Sequence, residues 1–168
     1  EQLGVSEEVR RETELGALLH EIGKIHIPDA IINKAGPLDD QEWAIMKTHT
    51  IEGQRMLDRV GGLLSSVGLV VRASHERYDG RGYPDGLAGD AIPLPARIVC
   101  VCDAFNAMIT DRPYRARRST EEAMAELESC AGTHFDPAVV QATVAVVSRV
   151  VREECSDEAL QWGRPLAA

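Results

Sequence analysis

Five residues spread along the chain, His20, Glu21, His49, His75 and Asp103, are of types that ligate metal ions or move protons. One of them opens the densest stretch, Ser74-His75-Glu76-Arg77-Tyr78-Asp79-Gly80-Arg81-Gly82-Tyr83-Pro84, in which charged side chains run into a glycine-punctuated loop. Gly80 and Gly82 free the backbone for positive φ or for close approach to a ligand, and Pro84 fixes its own φ. The stretch reads as a binding site, with a solvated helix end and turn as the competing reading. His20 and Lys24 are four apart and share a helix face, whereas Glu21 is rotated by about 100° from His20. His20 and Glu21 therefore reach one ion cluster only where the helix end points at it; a cation placed against the helix dipole is the alternative. His49, in Met46-Lys47-Thr48-His49, could equally be a core histidine satisfied by one hydrogen bond. Asp103 and Asn106 lie one turn apart on an apolar segment, and a buried carboxylate there needs a metal or an arginine. Taken together, the five form a nitrogen and oxygen ligand set within a helical bundle, with no thiolate required. Manganese, iron or another borderline metal suits such donors, and zinc is compatible with them.

The elements that must position these residues follow from the rest of the chain. With 168 residues and 44% apolar side chains, one domain is expected. Eighteen Lys and Arg against 27 Asp and Glu give a net charge of −9, which argues against nucleic-acid or anionic-membrane affinity through bulk charge. An anion site must then be local, and Arg112, Arg115, Arg117 and Arg118, or Arg77 and Arg81, are the concentrations available. No leader and no apolar run of about 20 residues is visible, so a cytoplasmic domain without membrane contact is expected. Cys100, Cys102, Cys130 and Cys155 lack paired spacing and read as buried, reduced thiols.

Ser6 followed by Glu7 and Glu8 starts a helix ending near Gly23, with Val9, Leu15, Leu18, Leu19 and Ile22 as its apolar stripe. Residues 25–38 form an irregular connection. Asp39 and Glu42 make a capping box for a second long helix, with Trp43, Ile45, Met46, Met56 and Leu57 on its buried side and His49 midway. Gly61 and Gly62 break it, and a third helix over Leu63–Ala73 delivers His75. Asp85-Gly86 and Gly89-Asp90 suggest a small hairpin. Residues 96–109 form a buried helix, Ser119 and Glu122 open another through Cys130, and Asp136-Pro137 starts the last, over Val139–Val151. The domain is expected to span residues 1–152, with 153–168 a frayed tail.

His20-Glu21-Ile22-Gly23-Lys24 resembles the His-Asp-x-Gly-Lys motif of the HD phosphohydrolase superfamily, and His75 to Pro84 resembles the signature loop of its HD-GYP subfamily. Met46-Lys47-Thr48-His49, Tyr83-Pro84-Asp85-Gly86-Leu87, Asp111-Arg112-Pro113-Tyr114-Arg115 and Gly132-Thr133-His134-Phe135-Asp136-Pro137 resemble it further, and in order. The resemblance implies an all-α HD-domain helical bundle with a buried metal centre and a short irregular Gly-Tyr-Pro loop. It implies hydrolysis of the second messenger cyclic di-GMP, to pGpG or GMP, with two divalent ions about 3.5–4 Å apart promoting in-line attack at phosphorus. Carried over by position, His20, Glu21, His49, His75 and Asp103 would ligate metal, with His20, Glu21 and Lys24 acting in catalysis. Lys24, Arg77, Asp79, Gly82, Tyr83, Pro84, Arg112 and Arg115 would contact the nucleotide. An upstream regulatory or sensor domain and a GGDEF-type signalling partner are also implied. The chain departs from the pattern at Glu21, for an aspartate, at Ser74, for the first of two adjacent histidines, and at Asn106, for an aspartate. The family's upstream ligand helix is expected to be absent. Ser74 favours an alternative, a module that binds nucleotide or a partner protein without turnover, whereas Glu21 and the intact Lys24, His49, His75 and Asp103 favour the enzyme.

Overall fold

The structure, a computed structural model, describes residues 3–111 and 116–162, with residues 154–162 described in backbone only. Helix α1, Glu7–Leu19, starts where Ser6 Oγ accepts from Val9 N, with Glu7 and Glu8 in the positive first turn. Leu15 and Leu19 pack inward, but Leu18 is 79% exposed and falls outside the expected stripe. The chain then tightens into a 3-10 turn, Ile22–His26, instead of continuing as α-helix. Helix α2, Asp29–Ile32, is a single turn in the connection.

The capping box at Asp39 is present in full and opens α3, Asp40–Lys47. The long helix expected here is two: Thr48 bonds back to the Ile45 carbonyl through both its N–H, at 3.0 Å, and its hydroxyl, at 2.7 Å. These three-residue bonds draw the chain out of the regular ladder, and α4, His49–Val60, begins in a new direction. His49 is consequently the first residue of a helix, not a mid-helix residue. The same break leaves Trp43 and Ile45 exposed, contrary to the buried side expected for them.

Gly61 and Gly62, both at positive φ, turn the chain into α5, Leu63–Ala73. Helices α6, Leu94–Ile109, α7, Thr120–Ser129, and α8, Pro137–Trp162, complete the bundle. Between α5 and α6 the expected hairpin reduces to one antiparallel bridge, Asp79 to Ala88, and a 3-10 turn at Gly89–Ala91. Among the described residues there is no strand, so the fold is all-α as expected. Helix α8 runs past Val151, where the apolar pattern ended. No helix of the described residues is long and apolar enough to cross a membrane.

The core is a chain of contacts from one end of the bundle to the other. Leu57, Val67 and Val71 join α4 to α5, with Leu15 and Leu19 of α1 against them. Val70, Ala73, Ala96 and Val99 join α5 to α6. Val101, Met108, Leu127, Phe135 and Val139 join α6 to α7 and α8. Full burial of a side chain such as Leu127 stabilises by about 1.5–3 kcal/mol, so these seams hold the helix ends in fixed relation. The tightest joint is glycine against backbone: a Cβ on Gly23 would lie 1.9 Å from the His49 carbonyl oxygen and 2.5 Å from Gly53 N. Gly23→Ala is therefore expected to cost about 3 kcal/mol or more in urea denaturation, because backbone rather than a flexible side chain must move. A cost below about 1 kcal/mol would show that the 3-10 turn is not pinned to α4.

Candidate metal centre

The bundle brings the five donor residues to one place from four parts of the chain. His20 caps α1 and Glu21 follows it, His49 opens α4, His75 lies just past Ser74 at the end of α5, and Asp103 is on α6. Two of the imidazoles are oriented by backbone carbonyls three residues earlier, His20 by one of α1 and His49 by one at the end of α3. His49 Nδ1 is 2.7 Å from the Met46 carbonyl and His20 Nδ1 is 2.9 Å from the Ala17 carbonyl. A carbonyl only accepts, so each Nδ1 carries the proton and each Nε2 presents a lone pair.

Those lone pairs face carboxylates. His49 Nε2 lies 3.5 Å from Glu21 Oε2, and His20 Nε2 lies 3.9 Å from Glu21 Oε1 and 3.8 Å from Asp103 Oδ1. His49 Nε2 and His75 Nε2 are buried and have no hydrogen-bond partner among the described residues. Leaving one such atom unpaired costs about 1–3 kcal/mol, and the unprotonated His49 Nε2 and the Glu21 carboxylate, both acceptors, repel one another. A bound cation satisfies them together. The ligand atoms of Glu21, His49 and His75 all lie within 4.8 Å of one another, a grouping of two nitrogens and an oxygen suited to a borderline divalent ion. Glu21 faces this group with one oxygen and His20 with the other, so its carboxylate stands between two donor sets.

The charge balance of the pocket is set by burial and by Lys24. Burial opposes ionisation of Glu21, but the Lys24 ammonium, 2.8 Å from Oε2, outweighs it, and the carboxyl titrates below its ordinary range. Burial, helped by neighbouring His49, pushes the His75 imidazole down to about 4, which keeps it neutral and able to donate its lone pair at physiological pH. Asp103 is corrected in one respect: its side chain is 42% exposed and pairs with His20, not with an arginine, so α6 is not buried all round. Cys102 on the same helix is exposed and Cys100 and Cys130 only partly buried, against the buried thiols expected.

The Gly-Tyr-Pro loop closes one side of the pocket. Tyr83 stacks on His75 with the rings 5.2 Å apart and 18° from parallel, and its N–H donates to the His75 carbonyl at 3.2 Å. Its hydroxyl is pushed up to about 12, by burial first and then by Glu21. A Cβ on Gly82 would lie 2.3 Å from Arg77 N, so the loop folds back on its own origin, and the Tyr83–Pro84 peptide is cis. Arg77 and Asp79 are engaged with each other at 2.8 Å, and Asp79 also accepts from Arg81 N. Arg112 and Arg115 lie outside the described residues. Ser74 is buried and its hydroxyl donates to the Val71 carbonyl at 2.9 Å, so it is turned into its own helix. Asn106 is exposed, with Thr110 as its hydrogen-bond partner.

One residue that sequence reasoning missed holds this loop. Glu76 is 2% exposed, and its carboxylate accepts from Asp85 N at 2.7 Å, Gly86 N at 3.1 Å and Leu87 N at 3.1 Å. The available signal was its position, a charge between His75 and a glycine loop with the Asp85-Gly86 turn nine residues on.

Glu76→Ala should destabilise the metal-free protein by about 3 kcal/mol in urea, since three N–H groups lose a buried, charged acceptor; a loss under about 1 kcal/mol would contradict the clamp. His75 supplies a pH test. Its folded value, about 4, lies below the ordinary 6.5, so below pH 6.5 the unfolded state takes up a proton that the folded state refuses. Metal-free protein should accordingly lose stability between about pH 6.5 and pH 4, and His75→Gln should reduce that loss by roughly 1–2 kcal/mol at pH 5. Equal pH slopes for both proteins would contradict the burial of a neutral imidazole.

Comparison with known proteins places this geometry among relatives. A family model for the HD domain matches residues 1–139. The chain is 47% identical over 143 residues to the cyclic di-GMP phosphodiesterase response regulator RpfG of Xanthomonas campestris pv. campestris, covering 84% of this chain and 38% of that protein. It is 40% identical over 169 residues to a cyclic di-GMP phosphodiesterase of Thermotoga maritima, covering 98% of this chain and 46% of the relative. It is 42% identical over 124 residues to the 3'3'-cGAMP-specific phosphodiesterase 2 of Vibrio cholerae, covering 73% of this chain and 24% of the relative. The chain thus spans less than half the length of these curated relatives. Among solved structures, a cyclic GMP-AMP specific phosphodiesterase of V. cholerae (V-cGAP3) aligns with a TM-score of 0.66 at 21% identity, over 88% of this chain and 40% of that one. Bd1817, an HD-GYP-type protein of Bdellovibrio bacteriovorus, aligns at 0.65 and 22% identity, over 87% and 46%. At these identities the two structures bear on the fold alone, which they share.

Proposed function

The chain belongs to the HD domain family, and on that premise we propose that it is the catalytic domain of a metal-dependent phosphodiesterase that hydrolyses cyclic di-GMP to pGpG or GMP. The observation that carries the proposal is the convergence of buried, partnerless imidazole nitrogens on the Glu21 carboxylate. Relatives named as cyclic di-GMP phosphodiesterases, at 47% and 40% identity, support the substrate. His49, His75 and Glu21 would hold one ion, and His20 and Asp103, on the other side of Glu21, a second; iron or manganese suits these donors. Such ions supply a water activated at neutral pH and charge to stabilise the phosphorane-like transition state.

The chain's own residues do the rest. Lys24, 40% exposed at the rim and already beside Glu21, neutralises a phosphate oxygen. Tyr83, fixed on His75, walls the pocket toward the base, and Gly82 and Pro84 shape that wall. Arg77, Asp79, Arg112 and Arg115 complete the nucleotide contacts by their place in the signature. The domain acts in the cytoplasm, under an attached regulatory or sensor domain and with a GGDEF-type partner that makes the substrate. The name of one relative, a response regulator, supports the regulatory part.

Ser74 favours a second reading, a module that binds nucleotide without turnover, because its hydroxyl points into α5 and offers no donor. Both are settled by incubating the full-length protein, reconstituted with manganese or iron, with cyclic di-GMP and resolving the products by chromatography. Linear pGpG or GMP is expected, with His75→Ala lowering turnover by more than about 100-fold. Nucleotide bound but recovered intact would establish the binding module and overturn the enzyme.

A further inference from the structure

Outside the donor cluster, one group of exposed side chains continues outward from the pocket. Trp43 and Lys47 stand four residues apart on one face of α3, both exposed, Trp43 at 46%. The Lys47 ammonium lies 6.0 Å from the centre of the Trp43 ring and 5.4 Å from that of Tyr83. Tyr83 in turn is stacked on His75. A continuous row therefore leads outward from the metal donors: His75, Tyr83, Lys47, Trp43. Among the described residues Lys47 forms no ion pair, in a chain whose net charge is −9 and where most other basic side chains near the pocket are already paired, as Lys24 is with Glu21 and Arg77 with Asp79.

We infer that Trp43 and Lys47 form a second-nucleotide subsite beside the metal centre, the indole stacking on a purine and the ammonium taking the phosphate that is not being cleaved. The identity of the ligand rests on the phosphodiesterase proposal, but the subsite itself rests on the row of side chains. A cyclic dinucleotide carries two purines and two phosphates on one ring. With one phosphate at the donors, the other half of the ring must lie to one side, and the Tyr83 side is where a free cation and an exposed aromatic face are available. Stacking on an aromatic plane accepts any base, and a cation over the same plane strengthens it. The subsite selects a dinucleotide over a single phosphodiester without a direct contact to the reacting atoms, which makes Trp43 and Lys47 specificity residues and not catalytic ones.

The test uses full-length protein reconstituted with manganese and two substrates, cyclic di-GMP and bis(4-nitrophenyl) phosphate, which has one phosphate and no purine. Trp43→Ala and Lys47→Met should each lower kcat/KM for cyclic di-GMP about tenfold more than for the small diester, with the loss in KM rather than kcat. Equal losses on both substrates, or none on either, overturn the subsite while leaving the phosphodiesterase intact. Binding is read separately, by quenching of tryptophan emission on titration with cyclic di-GMP. Trp43→Phe should remove that quenching, and Trp43→Ala should weaken the affinity about tenfold. Should the wild type bind and quench without hydrolysing, the phosphodiesterase fails and the subsite stands; unchanged quenching and affinity in the variants overturn the subsite whatever the turnover.

Discussion

The Nε2 atoms of His49 and His75 are buried beside the Glu21 carboxylate with no hydrogen-bond partner among the described residues, and the architecture around them makes sense once that arrangement is taken as a requirement. Buried ring nitrogens left unpaired near a carboxylate in a packed interior are unfavourable, so something rigid must hold them there. The holding is done by backbone. Carbonyls one turn back fix the His20 and His49 rings, and the Gly23 contact sets the His20–Glu21 turn against the first residue of α4. Displacing either element by the width of a methyl group separates Glu21 from His49.

The loop beyond α5 obeys the same logic with a different device. Leu87 and Ile92 anchor it to the core between α5 and α6, and one carboxylate, Glu76, gathers three N–H groups of residues 85–87. Arg72 adds a bidentate pair with Asp85 at 2.6 and 2.7 Å, and Arg77 with Asp79 braces the near side. Tyr83 is thereby delivered flat against His75. At the far side of α6, Arg97 spans Asp90 and the buried Asp136, tying the loop's exit to the start of α8. Of the charged residues that looked like a binding surface in the sequence, Glu76, Arg77, Asp79 and Asp85 are the loop's internal fastening, while Arg81 is exposed and, among the described residues, is in no ion pair, as is Lys47 beside Tyr83.

Much of this was legible in the sequence where a local rule applies. The capping boxes at Asp39 and Ser119, the glycine break at residues 61 and 62, and the Leu63–Ala73 helix follow from side chain and backbone preferences acting within a few residues. The five donors could be proposed as a set because residue type alone limits what binds a metal. What the sequence concealed depends on contacts between distant segments. The break at Thr48 has no glycine or proline to announce it, and so Trp43 and Ile45 were placed inside. Periodicity likewise made α6 look uniformly buried, although Cys102 is exposed and Asp103 faces His20. Glu76 was invisible as a clamp because its three partners are backbone groups of a loop whose path no pattern encodes.

All of these features converge on one claim, that the buried nitrogen and oxygen donors exist to hold divalent ions. Metal analysis by mass spectrometry tests it most directly, on full-length protein reconstituted with manganese or iron and then desalted, compared with His49→Ala treated in the same way. The account predicts about two tightly held ions per chain in the wild type and at most one in the variant, since removal of a first-coordination nitrogen weakens a site far more than desalting tolerates. A wild-type protein that retains no metal, or a variant that retains as much as the wild type, would contradict it.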